Sequence, residues 1–208
     1  MPTEPNPQFI TLWPTLLVRR RLPGHDIHNQ GLAALIEQMD RESEQLTTNY
    51  LDVDLLNTEN DDIRWLRTGI EETVDGYFAE VGIDRSMGFR ISAWPNINRY
   101  GDYHAPHNHA WSYLSGTYYV KMPGESPPGK SGGQPLPAAI SFYDPRAAVN
   151  MLAVGNEALS VREIGVRPEA GTVMLWSSAL IHAVQPNLSE ETRISVSFNI
   201  SLAGPRSS

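Results

Sequence analysis

Apolar positions along this chain follow two rhythms that change near residue 88. In the first half they recur at three- and four-residue intervals. Leu32, Leu35, Ile36 and Met39 predict a helix over about 27–43, with Asp26 placed to cap it. Ile63, Leu66, Ile70, Val74, Tyr77, Phe78 and Val81 form a longer stripe and predict a second helix over 61–81. Asp61 and Asp62 sit at its positive end, and Gly82 stops it. Ahead of both, 9–22 reads as a strand interrupted at Pro14.

After Gly88 the helical spacing gives way to short β-branched and aromatic runs separated by Gly, Pro and Asn. The runs are 89–94, 107–110, 113–122, 139–143, 158–166, 171–176, 181–184 and 193–202. About eight short strands behind a helical front predict a mainly β (α+β) chain. The expected architecture is a double-stranded β-helix, a jelly-roll or cupin-like barrel, with the N-terminal helices packed outside. The expected organisation is one domain over 1–208. It has an N-terminal strand and supporting helices in 1–87, a jelly-roll core in 88–203 and a frayed tail in 204–208. The segment 123–137 holds nine Pro or Gly in fifteen residues and reads as a long loop, a candidate lid.

Charge and composition narrow the function. Sixteen basic against 24 acidic residues give a net charge of −8, which disfavours nucleic-acid backbones and anionic membranes as partners. The absence of cysteine removes disulfides, thiolate metal sites and cysteine nucleophiles. The apolar stretch 9–18 is broken by Pro14 and followed, not preceded, by Arg19 to Arg21, the wrong order for a signal peptide. A cytoplasmic protein without a membrane span is the expectation. Gly124 to Ser131 satisfies the G-x-x-x-x-G-K-S phosphate-loop pattern, but Pro127 and Pro128 lack the N–H groups a phosphate cradle needs. The following Gly132-Gly133-Gln134-Pro135 cannot open a helix, so the nucleotide reading is rejected.

Candidate chemistry lies in the histidines. Of six, His104, His107, His109 and His182 fall in or beside predicted barrel strands. In an extended segment His107 and His109 leave the same face, and His182 is the remaining strand histidine able to complete a metal site. Imidazole ligation suits iron, zinc, copper or nickel. Taken singly, an H-x-H pair is more often a surface accident, and a lone His182 more often a core residue. The strand opening at Arg193 alternates strictly, with Arg193, Ser195, Ser197 and Asn199 on one face and Ile194, Val196 and Phe198 on the other. A guanidinium flanked by hydroxyls is a carboxylate receptor. The competing reading is a solvent-facing polar face with Arg193 paired to Glu190 or Glu191.

An ordered set of segments resembles the iron(II)- and 2-oxoglutarate-dependent oxygenases, especially their prolyl-hydroxylase-like branch and a bacterial and phage subgroup of it. The set runs from Trp94-Pro95-Asn96-Ile97-Asn98 through His104-Ala105-Pro106-His107-Asn108-His109 and Ser115 to Val120. It continues with Phe142 to Arg146, Gly171 to His182, Gln185-Pro186-Asn187 and Arg193-Ile194-Ser195. The resemblance implies that His107 and His182 bind iron(II), and that Arg193 grips the distal carboxylate of 2-oxoglutarate. It implies that Tyr119 donates to the same carboxylate, with Ser195 or Ser197 adding a hydroxyl. His104 and, more weakly, Asn98 and Asn96 would lie near the cosubstrate. Most of the superfamily carries Asp or Glu two residues after the first histidine; this chain has His109, which would make a three-histidine centre. Asp102 and Asp144 are alternative carboxylates without the family spacing. The implied activity is hydroxylation of an unassigned small-molecule or peptide substrate with dioxygen. The alternatives are a three-histidine cupin-like dioxygenase or isomerase without 2-oxoglutarate, and a catalytically inactive metal-binding barrel. Trp111, Tyr113 and Trp176 are candidates for the substrate mouth, and 9–22 is free to pair within the sheet or across a homodimer.

Overall fold

The computed structural model describes residues 10–42, 54–84, 86–124, 136–146 and 161–205. In chain order the elements are β1 (Leu17–Arg21), α1 (His25–Glu42), a 3-10 turn (Leu55–Asn57), α2 (Asp61–Val81), β2 (Met87–Asn98) and β3 (His104–His107). They continue with β4 (Leu114–Lys121), β5 (Ile140–Tyr143), β6 (Glu163–Val166), β7 (Thr172–Ser177), β8 (His182–Val184) and β9 (Arg193–Pro205). Two antiparallel sheets result. One has five strands in the order β1-β7-β4-β9-β2, the other four in the order β3-β8-β5-β6. The non-consecutive neighbours are those of a double-stranded β-helix, as expected from the strand count.

Local chemistry accounts for most of the element ends. The Asn60 side chain accepts from the Asp62 and Ile63 amides at 2.8 and 3.2 Å, satisfying the first orphan donors of α2. Gly82 closes the helix at φ 75°, a left-handed conformation glycine adopts without strain. In α1 the helix already begins at His25, so Asp26 lies in the first turn and not at the cap position. The predicted strand 9–22 shortens to β1, which pairs with β7 of the same chain. The predicted strand 89–94 runs on through Pro95 to Asn98, because β2 is a sheet edge where a missing amide donor costs no ladder bond. At the other end β9 reaches Pro205, opposite Met87, so the sheet takes in the first two residues of the expected tail 204–208, and 206–208 lie outside the described residues. Most of the Pro/Gly-rich segment (125–135) and the first part of the predicted strand 158–166 lie outside the described residues.

The larger sheet is covered on one face by helices and on the other by the smaller sheet. Leu66, Ile70, Val74 and Phe78 of α2 pack on Val173, Leu175, Val196 and Phe198. The alternate residues Tyr119, Met174 and Trp176 face inward, where they meet Ile140, Phe142 and Leu180. Residues 114–120 of β4 are buried throughout, as a central strand between two layers requires. Gly116 shows how tightly β4 fits between its neighbours β7 and β9 in the larger sheet. A Cβ there would lie 2.3 Å from Phe198 Cζ and 2.6 Å from the Met174 carbonyl oxygen. Gly116→Ala is therefore expected to destabilise the protein by about 1–3 kcal/mol, read as a lower urea midpoint with an unchanged slope. No helix among the described residues is long and apolar enough to cross a membrane.

Candidate metal centre

Strand register builds the inner face of the large sheet in rungs. Ser92 of β2 lies opposite Asn199 of β9, Trp94 opposite Ser197, Asn96 opposite Ser195, and Asn98 opposite Arg193. On the other side of β9, Ser115 of β4 pairs with Asn199, Thr117 with Ser197 and Tyr119 with Ser195. Because side chains alternate, these residues share one face while Ile194, Val196, Phe198 and Ile200 join the helix-covered core. The result is a polar inner wall in a barrel whose outer wall is apolar. Asn96, Asn98, Ser115, Thr117, Arg193 and Ser195 are all buried. Polar groups gathered in a lumen are costly unless something polar meets them.

The facing sheet supplies the histidines. β3 and β8 pair so that His107 stands directly opposite His182. The rings of His107 and His182 are 4.4 Å apart, those of His107 and His109 5.1 Å, and those of His109 and His182 5.2 Å. One ligand nitrogen from each lies within 4.8 Å of the other two, and no carboxylate belongs to the cluster among the described residues. Ligand atoms across one divalent ion are separated by at most about 4.2 Å, so a small inward movement would close the set on a cation. Asp102 is occupied accepting from the Arg99 amide, and Asp144 from Arg146. Neither alternative carboxylate reaches the cluster.

Backbone carbonyls fix which nitrogen faces the centre. His107 Nδ1 lies 2.7 Å from the Ala105 oxygen, and His182 Nδ1 3.0 Å from the Leu180 oxygen. A carbonyl only accepts, so Nδ1 carries the proton in both rings and Nε2 keeps its lone pair for a ligand. Trp176, stacked edge-on to His182 at 4.9 Å, and Phe142 form an apolar floor beneath it. His109 arrives differently from the extended H-x-H expected. β3 ends at His107, and the His109 amide donates to the Ser178 carbonyl at 3.0 Å in the connection to β4. The ring nevertheless reaches the cluster.

Below the histidines lies the second part of the site. Arg193 is 2% exposed and takes part in no ion pair among the described residues, which overturns the reading of a solvent-facing pair with Glu190 or Glu191. Its Nη1 donates to Asn98 Oδ1 at 2.8 Å and to Ser195 Oγ at 3.3 Å. Its guanidinium carbon stands 5.2 Å from the Tyr119 ring centre. No well-aligned hydrogen bond reaches the Arg193 Nε or the fully buried Tyr119 hydroxyl, although Arg193 and Thr117 lie near enough to that hydroxyl to interact with it weakly. Burial raises the Tyr119 phenol above its ordinary pKa, and the neighbouring Arg193 charge counters part of the rise. A buried cation with no carboxylate among the described residues, its Nε and the adjacent Tyr119 hydroxyl both poorly satisfied, is an incomplete pair. A carboxylate ligand would complete it.

Asn98 joins the two halves. With Oδ1 taken by Arg193, its Nδ2 lies 3.3 Å from His104 Nε2, and the His104 ring is 6.4 Å from that of His107. Ser197, by contrast, bonds Asn96 at 2.9 Å and stands two rungs from Arg193. Tyr113 turns outward onto Tyr77 and Phe78, so it does not shape a mouth. Trp176 is core, whereas Trp111 is 99% exposed and held at φ 67°. Sequence reasoning did not single out Asn187 as a brace. It is 1% exposed, and its Nδ2 donates to the Asn98 and Glu191 carbonyls while its own carbonyl accepts from Gly101. It thereby ties the end of β2 to the segment that leads into Arg193. The only sequence signal was its place in Gln185-Pro186-Asn187.

The buried imidazoles resist protonation. Burial, reinforced by neighbouring positive charge, takes His104 and His109 from 6.5 down to about 4. Burial takes His182 down to about 3. The unfolded chain therefore binds protons as pH falls below about 6.5 while the folded chain does not until about 4, so acid favours unfolding across that window. Chelator-treated protein should hold a constant melting temperature above about pH 7 and lose it steadily from about 6.5 to 4. A melting temperature independent of pH over that window would contradict buried neutral rings.

A sequence model described as "Putative 2OG-Fe(II) oxygenase" matches residues 92–199, the stretch that carries both halves of the site. No curated protein matches the sequence significantly. Solved structures share the fold at low identity. A prolyl-4-hydroxylase from Pseudomonas putida is 14% identical with a TM-score of 0.58, covering 93% of this chain and 89% of its own. A Trichoplax adhaerens prolyl hydroxylase, solved with a hypoxia-inducible-factor peptide fragment, is 10% identical at TM-score 0.59, over 89% and 83% of the two chains. HygX from Streptomyces hygroscopicus, solved with nickel and 2-oxoglutarate, is 13% identical at TM-score 0.56, over 92% and 83%.

Proposed function

Since the chain belongs to the 2OG-Fe(II) oxygenase family, we propose that His107, His109 and His182 hold its iron(II) and that Arg193, with Tyr119, Asn98 and Ser195, receives 2-oxoglutarate. The observation that carries this reading is the buried, carboxylate-free guanidinium of Arg193, joined through Asn98 and His104 to a three-imidazole cluster. Those residues fit the cosubstrate. Three imidazoles, two of them with Nε2 freed by a carbonyl at Nδ1, suit a divalent metal, and the poorly satisfied donors of Arg193 and Tyr119 suit a carboxylate. When bound, iron(II) and 2-oxoglutarate supply the oxidative chemistry: dioxygen is reduced, the oxoacid leaves as succinate and carbon dioxide, and one oxygen atom enters the substrate.

The chain's own side chains bind, orient and exclude water. The Ala105 and Leu180 carbonyls hold the imidazoles of His107 and His182 in one tautomer. Asn98 orients the Arg193 fork, and Phe142 and Trp176 keep the floor dry. His104 stays neutral beside Arg193, so it adds no second cation to the pocket. With His109 in place of an acid, the metal keeps a formal charge of 2+, which strengthens its attraction for a dianionic cosubstrate. No side chain has to act as a general base. The enzyme works as one domain in the cytoplasm, with dioxygen and a small-molecule or peptide substrate as partners.

The test is 2-oxoglutarate turnover. Protein supplied with iron(II), 2-oxoglutarate and air should release succinate, and none should form without either iron or oxygen. A barrel that binds iron tightly yet forms no succinate, with a broad set of small molecules and peptides offered as substrates, would be a metal-binding scaffold instead.

A further inference from the structure

A cavity of about 900 Å³ opens beside the histidine cluster, and its lining differs in charge from the pocket beneath. Besides the histidines, the polar and aromatic groups on its wall include Asp54, Ser92, Trp94, Tyr103 and Asn199. Among the described residues, Asp54 is the sole carboxylate in the lining and no Lys or Arg belongs to it. The lower pocket thus carries a cation suited to an oxoacid, whereas the upper one carries an anion in a lining that also includes Trp94 and Tyr103.

Asp54 is held in place for this role. Leu55 and Leu56, which follow it, are buried in the core at 0% and 4% exposure and anchor the 3-10 turn. Asn57 donates to Asp54 twice, from its backbone amide to the Asp54 carbonyl and from Nδ2 to Oδ2, both at 3.0 Å. The carboxylate itself is exposed, and no Lys, Arg or His pairs with it among the described residues. Tyr103 is 63% exposed at the rim, and Trp94 forms part of the inner wall. Aromatic faces attract a cation that an anionic group also holds, and they disfavour a phosphate or carboxylate substrate.

We propose that the substrate brought to the histidine cluster carries an ammonium or guanidinium group, received by Asp54 in the cavity that Trp94 and Tyr103 also line. This rests on the oxygenase reading for what happens to the substrate, but not for its recognition. A cavity of this size admits more than an isolated amino acid, so the cation comes either on a free amine or on a basic side chain within a peptide.

Calorimetric titration of the full chain, with and without zinc(II), separates these sources. The peptide arm compares acetyl-Gly-Lys-Gly-amide with its norleucine isostere and its glutamate counterpart. The free arm compares butylammonium with 1-butanol. The cationic member of at least one arm should bind about threefold to thirtyfold tighter than its neutral partner, and Asp54→Asn should bring that ratio close to one. Preference in the peptide arm alone assigns a peptide-borne side chain; preference in the free arm assigns a small amine. Equal affinities within both arms, tighter binding of the glutamate peptide, a ratio that survives Asp54→Asn, or no binding in either arm would overturn the proposal. Selective cation binding without succinate release when iron(II), 2-oxoglutarate and air are supplied would leave it standing and sink the oxygenase assignment of the histidines. Succinate release without cation preference would do the opposite.

Discussion

Replacing His182 by alanine should lower divalent-metal affinity by at least about 100-fold, because it removes one of three ligands from a site where no carboxylate among the described residues can take over. Loss of an outer-shell partner alone costs about 10–100-fold, and loss of a ligand costs more. His182 is also the ring around which the centre is organised. It faces His107 across the strand pair, stacks parallel to His109 at an interplanar angle of 11°, and rests on Trp176. His104→Ala is the informative contrast. His104 lies in the same strand as His107 but outside the ligand cluster, so its removal should leave metal affinity within a few-fold while weakening 2-oxoglutarate binding through Asn98. Metal titration by calorimetry, with circular dichroism to verify folding, reads both variants. Equal losses in the two would mean that the centre is not the triad.

Arg193→Met should have effects of opposite sign on two properties. Without ligand, Arg193 is a fully buried cation with an orphan Nε and no carboxylate partner, a costly arrangement that an apolar side chain of similar length relieves. The ligand-free variant is therefore expected to melt at a higher temperature than the wild type. With ligand, the same guanidinium pairs with a carboxylate in a dry pocket. Truncating one partner of a buried charge pair costs about 2–5 kcal/mol, roughly a 30-fold to several-thousand-fold loss of 2-oxoglutarate affinity. Metal affinity should barely change, since no metal ligand is touched. Arg193→Lys should fall between, because it keeps the charge but loses the planar fork. A variant that loses both stability and metal binding would make Arg193 a structural residue.

How far the sequence reveals this arrangement depends on whether each feature is set locally or by a distant strand. The second helix is local. Its apolar stripe, its acidic first turn and Gly82 predict 61–81, and the structure has α2 at Asp61–Val81. The alternation of Arg193, Ser195, Ser197 and Asn199 is equally local and carries the inner wall. His107 and His109 show the limit. Period-two alternation assigns both rings to one face only while a ladder holds the strand, and β8 offers just three residues, His182 to Val184, as partner. The ladder runs out at the His107–His182 pair, so a backbone bond to Ser178 delivers His109 instead. The sequence predicts only 89–94 for β2 because Pro95, Asn96 and Asn98 are poor strand formers. An edge position tolerates the proline, and the asparagines serve the lumen. Register across non-consecutive strands, which puts Tyr119 beside Ser195 and Asn98 beside Arg193, has no signature in the chain itself. That information came only from the resemblance of the ordered motifs.

The central claim is that one cation and one oxoacid meet between the histidine cluster and Arg193. Anaerobic titration of the protein with iron(II), then with 2-oxoglutarate, tests it directly through the visible charge-transfer absorption that chelation of the oxoacid to iron produces. The band should grow to one equivalent in the wild type, fail to form in His182→Ala for want of metal, and require far more 2-oxoglutarate in Arg193→Met. No band in iron-loaded wild-type protein, or a band whose 2-oxoglutarate dependence is the same in Arg193→Met, would contradict it.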